Sequence, residues 1–167
     1  SGVASIGLRP LTVYGPGRDQ GLTSSPTKAI VAAVMGRPYQ ISFGGSTLFH
    51  YAPDVANALV EAAFVEANGA EIFNLNGSRA SITDFVAAIE VAVEGAEGMI
   101  KPGFDPLPFP DDIDTTGLER LGPPPVTDLG DGIAQSVELY RELQASGRLN
   151  PTDHGLELSG DALIDRA

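Results

Sequence analysis

Residues 3–16, VASIGLRPLTVYGP, carry an apolar, partly β-branched run straight into a Tyr-Gly-Pro turn. No other stretch narrows the choice of fold as much. The composition of residues 3–8 suits a strand buried on both faces of a parallel sheet, because a half-solvated strand would alternate apolar and polar side chains. Arg9-Pro10 ends the run, and Tyr14-Gly15-Pro16-Gly17 turns the chain. A strand of this kind needs sheet neighbours, and parallel neighbours are reached by crossovers, so the expected class is α/β.

The rest of the chain alternates helical and extended patterns. Residues 18–25 (RDQGLTSS) form a polar loop, and Ser25-Pro26 has the form of an N-cap followed by proline at the first helical position. The spacing predicts a helix over 26–35 with Ala29, Ile30, Ala33 and Val34 on its apolar face. Extended segments are expected at 39–43, 48–51 and 71–75. Asp54 is expected to cap a helix over 55–67, and Ser81 one over 82–94 whose apolar face is Ile82, Phe85, Val86, Ile89 and Val93. Residues 101–114 are proline-rich and irregular, and 115–121 form a short helix. A last amphipathic helix covers about 130–146 through Ile133, Val137, Tyr140 and Leu143. The polar tail, 148–167, is expected to fray, leaving 1–147 as the folded unit.

Composition excludes several functions. A net charge of −12 with only ten basic residues, none of them clustered, argues against nucleic acid, whose phosphates need grouped Lys and Arg. The chain has no cysteine, which removes disulfides and thiolate metal sites and fits a reducing cytoplasm. No apolar run is long enough to span a membrane, so no membrane partner is expected.

Five segments, in order, resemble the extended short-chain dehydrogenase/reductase family, the NAD-dependent epimerase/dehydratases. LRPLTVYGPG (8–17) is similar to the family's strand-to-loop segment, and GRPYQISFGG (36–45) to its helix end and following strand. FHYAPDVANALVEA (49–62) resembles its Tyr-x-x-Asp segment, and EIFNLNGSRASITDFVAAI (71–89) its strand, Asn-x-Gly loop and helix. DTTGLERLGPPP (114–125) with DGIAQSVELYREL (131–143) is similar to its closing motif. The resemblance covers residues 3–147 and implies the C-terminal part of a Rossmann-like enzyme. That part holds the last sheet strands plus a small mixed α/β substrate-binding subdomain.

The family's chemistry is hydride transfer with NAD or NADP, assisted by a Tyr whose proton affinity is lowered by a nearby Lys. None of the four tyrosines here has a Lys four positions later, since those positions hold Arg18, Phe43, Val55 and Gln144. No Gly-rich turn joins a strand to a helix in dinucleotide-binding spacing. The expectation is therefore no catalytic residue, no activity and no bound cofactor for this chain alone. It would be the substrate-binding portion of an oxidoreductase or epimerase, partnered by a missing N-terminal half. The alternative is a non-catalytic α/β module for binding or assembly.

The resemblance places Pro10 and Leu11 beside the nicotinamide and Thr12 where many members carry a substrate-facing Asn. Arg18, Thr23, Ser24, Ser25 and Lys28 are the local candidates for substrate, because hydroxyls and free amides at a helix start suit an anion. His50, within the Tyr-x-x-Asp segment, is a further candidate, with a packed strand histidine as the other reading. Tyr14 is expected to pack, and His154 has no metal-ligand spacing, so no metal site is expected. Thr47 stands where sugar-nucleotide enzymes of the family carry a diphosphate-gripping Arg. That favours a free sugar, aldonate or lactone as substrate. Exposed edges of the first strand, and apolar surface on helices 26–36 and 82–94, are expected to drive self-association.

Overall fold

The Tyr-Gly-Pro region separates two strands that enter different sheets. The computed structural model describes residues 2–122 and 124–156. Strand β1 (Ser5–Arg9) ends at Pro10, which has no N–H to continue a ladder, and β2 (Thr12–Tyr14) begins two residues later. Four more strands are β3 (Tyr39–Gln40), β4 (Ser46–Tyr51), β5 (Ala70–Asn74) and β6 (Ser78–Ser81), and β7 (Ile100–Lys101) is the last. β1 pairs in parallel with β5, Ser5 opposite Ala70 and Arg9 opposite Asn74. β2 pairs in parallel with β4, which pairs antiparallel with β6. β3 and β7 form a third, parallel pair. Backbone bonds extend that pairing beyond the strands, as Gly103 N–H donates to the Phe43 carbonyl and Gly44 N–H to that of Asp105. A Cβ on Gly44 would run into the Gly103 carbonyl, and one on Gly103 into the backbone of Ile41 and Phe43, so two bare backbones are needed here.

Helices α1 (Ser25–Val34), α2 (Ala52–Phe64), α3 (Ile82–Ala92) and α4 (Leu129–Ala145) cover the strands. α3 starts as its sequence dictates. Ser81 Oγ accepts from the Asp84 N–H, and the Asp84 carboxylate accepts from the Ser81 N–H. Ile82, Phe85, Val86 and Ile89 are then buried on one face. α1 is buried on nearly every side because α3 and α4 both pack on it. Tyr14, Phe49 and Phe85 form the aromatic centre, with Phe49 stacked on Phe85 at 4.8 Å and Tyr14 edge-on to Phe85 at 5.3 Å. Burial of a ring such as Phe85 contributes about 2–3 kcal/mol. A second, smaller core joins Ala58 and Ala62 of α2 to Phe73, Leu75, Leu118 and Leu121.

Five expectations are corrected. β1 is not buried on both faces: its residues alternate between exposed and half-buried, because β5 is its one strand neighbour among the described residues. Helices α1 and α3 do not present broad apolar surfaces, since α4 packs on both and Val91 of α3 is the one large apolar side chain they expose; Leu59, Val60 and Phe64 of α2 and Ile72 of β5 are exposed instead. Ser25 is not the N-cap of α1. Ser24 holds that position, and Ser25 Oγ accepts from the Ser42 N–H at 2.9 Å. Asp54 is not a cap either. It lies in the first turn of α2, which starts at Ala52, and takes both the N–H and the hydroxyl of Thr127 at 2.7 and 3.0 Å. Finally, the tail does not simply fray after Gly147, because Leu149 and Leu156 pack on the main core. Residues 157–167 of that tail lie outside the described residues.

Candidate substrate-binding site

The expected site residues fall into two places. Pro10 and Leu11 are half-buried at the crossover from β1 to β2. Thr12, the first residue of β2, is fully buried, and its Oγ1 lies 2.8 Å from Thr47 Oγ1 on β4. Either hydroxyl can donate, and each is thereby satisfied by the other. Tyr14 faces the same side and lies against Tyr51 and Phe85. Burial, with the nearby Tyr51 adding to it, pushes its phenol well above the ordinary tyrosine range. A phenol so held stays protonated at neutral pH, which fits packing and not proton transfer.

The loop of residues 18–25 closes on itself. Arg18 donates to the Gln20 carbonyl and to Thr23 Oγ1, and Ser24 Oγ donates to the Gly21 carbonyl. Thr23, Ser24 and Ser25 are all buried. Their hydroxyls serve the protein itself, so any anion met here would meet backbone amides, Arg18 and the half-buried Lys28. Three partners escaped the sequence reading. Thr27 Oγ1 accepts from the Gly15 N–H at 3.1 Å, tying α1 back to the turn after β2. Tyr39 and Ser42 hold Ser25 in place. A buried Thr one turn into a helix was the only local hint of the first.

His50 is elsewhere. It follows Phe49 and precedes Tyr51 on β4, so strand alternation puts it on the opposite face from Thr47. It lines a cleft of about 10 Å³ with Asp54, Leu75, Asn76, Gly77 and Thr127. The ring is 4% exposed; one nitrogen bonds the Asn76 backbone, and Nε2 has no partner. Burial pulls its pKa down to about 4, with the Asn76 bond opposing, so the ring is neutral at physiological pH. A Cβ on Gly77 would collide with this ring and with the Phe49 carbonyl. Among the described residues, no group of three or more His, Cys, Asp or Glu is placed to hold a metal.

Known structures share this arrangement of strands and helices. UDP-glucose 4-epimerase from Thermotoga maritima, solved with UDP-glucose, superposes with a TM-score of 0.70 at 23% identity, over 86% of this chain and 48% of the other. MoeE5, solved with UDP-glucose and NAD, gives 0.65 at 27% identity over 83% and 48%. The chain has the fold of the C-terminal half of an extended short-chain dehydrogenase/reductase. That short-chain dehydrogenase/reductase fold also carries a partial consensus L-threonine 3-dehydrogenase, with a TM-score of 0.66 at 19% identity, over 81% of this chain and 48% of the other. The chain spans about half the length of the solved structures it matches. No family model and no curated protein matches the sequence.

Proposed function

We propose that this chain is the substrate-binding half of an NAD(P)-dependent epimerase, dehydratase or dehydrogenase, inactive until joined by a dinucleotide-binding half. The observation that carries this reading is the fold match over more than four-fifths of the chain to about half of enzymes such as MoeE5, solved with NAD. In such an assembly Pro10 and Leu11, at the end of β1, would flank the nicotinamide, and the bound dinucleotide would supply the hydride chemistry. The sequence offers no Gly-rich cradle for a pyrophosphate, so the partner half must bring one. The amides, Arg18 and Lys28 of the loop would meet the substrate, with Thr12, bonded to Thr47, supporting the site from beneath.

The substrate we favour is a free sugar, aldonate or lactone. Supporting this, Thr47 is 2% exposed and bonded to Thr12, so that position offers no guanidinium to a diphosphate. Cytoplasmic residence and self-association through β1 and α2 belong to the same reading. Among the described residues, no helix is long and apolar enough to cross a membrane.

The test is complementation. The chain is assayed for NADH release and for epimerised or dehydrated products with a panel of aldoses, aldonates, lactones and UDP-sugars, alone and with a co-produced half bearing a Gly-rich turn and a Tyr-x-x-x-Lys pair. Turnover only with both halves is the expected result. Turnover by the chain alone would refute its dependence on a partner. No turnover or ligand binding in either case favours a binding or assembly module.

A further inference from the structure

We propose that His154 is a positioning residue for the loop of residues 18–25, acting through Asp19 from a strap formed by residues 148–156. The proposal rests on the reading that this loop meets substrate. The strap has a defined course. After α4 the N–H groups of Arg148 and Leu149 both donate to the Leu143 carbonyl, and Leu149 packs on the core. Asn150 Oδ1 accepts from the Thr152 N–H and starts a single 3-10 turn, Pro151–His154. Gly155, with φ of 63°, then reverses the chain so that Leu156 enters the main core.

Both ends of the segment from the loop to the end of α1 touch this strap. Arg37, just past α1, donates to the Leu156 carbonyl at 3.2 Å. Lys28, in the first turn of α1, stands close enough to Gly155 that a Cβ there would lie 3.4 Å from its Nζ. His154 sits between these anchors and the loop. Its ring is edge-on to Tyr140, with centroids 5.8 Å apart, and the Tyr140 hydroxyl donates to the Gly15 carbonyl at 3.4 Å. The same tyrosine therefore backs the imidazole and the turn that leads into the loop. His154 is 9% exposed, and its Nδ1 has no hydrogen-bond partner. That nitrogen lies 3.9 Å from Asp19 Oδ2, inside ion-pair reach and beyond a hydrogen bond. Arg18 and Ser24 tie the loop to itself and Ser25 ties its far end to Tyr39 and Ser42, while Asp19 is where it approaches the strap.

Amide hydrogen exchange of the full chain, without cofactor or substrate, tests the idea in His154→Ala, Asp19→Ala and the double variant. Each single change is expected to speed exchange in residues 18–25 about tenfold while α3 keeps its protection. The double variant should do no more than His154→Ala, because that change already removes the contact with Asp19. Unchanged loop exchange, additive effects, or α3 loosening together with the loop would overturn the proposal. Should His154→Ala fail to fold, Asp19→Ala alone decides: no acceleration overturns it. The measurement involves no chemistry, so failed complementation leaves its result standing, and the reverse holds too.

Discussion

The two cores of this molecule are finished to different degrees. Around β2, β4 and β6, helices α1, α3 and α4 close a core in which Tyr14, Phe49, Phe85 and Ile133 are almost wholly buried. Around β1 and β5, among the described residues, one α-helix, α2, and the short turn bearing Leu118 and Leu121 enclose a much smaller cluster. On that side Phe64 is 86% exposed and Ile72 58%. Glu71, on β5, is held ionised by the Asn68 N–H and by Arg120, a surface arrangement that leaves its carboxyl below the usual range. The difference teaches that the chain's closed core and much of its exposed apolar surface are housed in separate places. The helices of the first region turn their large apolar side chains inward, Val91 of α3 excepted, and the second region leaves several open to solvent.

The sharpest way to break this contrast is Phe85→Ala. Removing a ring from the closed core should cost about 3–5 kcal/mol in urea unfolding. A loss below about 1 kcal/mol would mean that this core is not what holds the chain together.

The next largest effect is acid sensitivity at the seam. His50 has a folded-state pKa of about 4, against an ordinary value of 6.5. The unfolded chain therefore binds the proton more readily, and the contribution is fully present above pH 6.5 and lost as pH falls towards 4. The loss should approach roughly 3 kcal/mol. His50→Val, which suits a buried strand, should flatten the unfolding-against-pH curve over that window; an unchanged curve would show that His50 is not the group responsible.

A smaller effect is expected at Asp54. Replacing it with Ala strands the Thr127 N–H and hydroxyl, and should cost about 1–3 kcal/mol in thermal or urea unfolding. The smallest is Phe64→Ser in the open region. Stability should move by no more than about 0.5 kcal/mol, while sedimentation should report weaker self-association. A large stability loss would mean that the open face is already covered in solution.

What was legible in the sequence was local. Ser81 and Asp84 lie three residues apart, so their capping box could be read directly, and helical spacing exposed the buried face of α3. The strand before Pro10 was legible from its own composition, but β2 as a separate strand in a second sheet was not. Asp54 and Ser25 were misassigned because a carboxylate or hydroxyl near a helix start has a cheap local use. Their actual partners, Thr127 and Ser42, come into reach only through the tertiary fold. The Thr12–Thr47 pair and the approach of His154 to Asp19 were hidden in the same way, since no spacing along the chain announces them. β1 was misjudged because composition reports what a strand suits and not how many neighbours it finds.

The bare-backbone contact of Gly44 with Gly103 has a consequence for the order of assembly. β3 can find β7 only when residues near 101 have been synthesised, just as β1 waits for β5 and β2 for β4. Every parallel strand pairing among the described residues is thus a long-distance one, the class that forms slowly. Until those segments arrive, β1, β2 and β3 have no strand partner among the described residues. Refolding from urea should therefore be limited by strand pairing and not by helix formation.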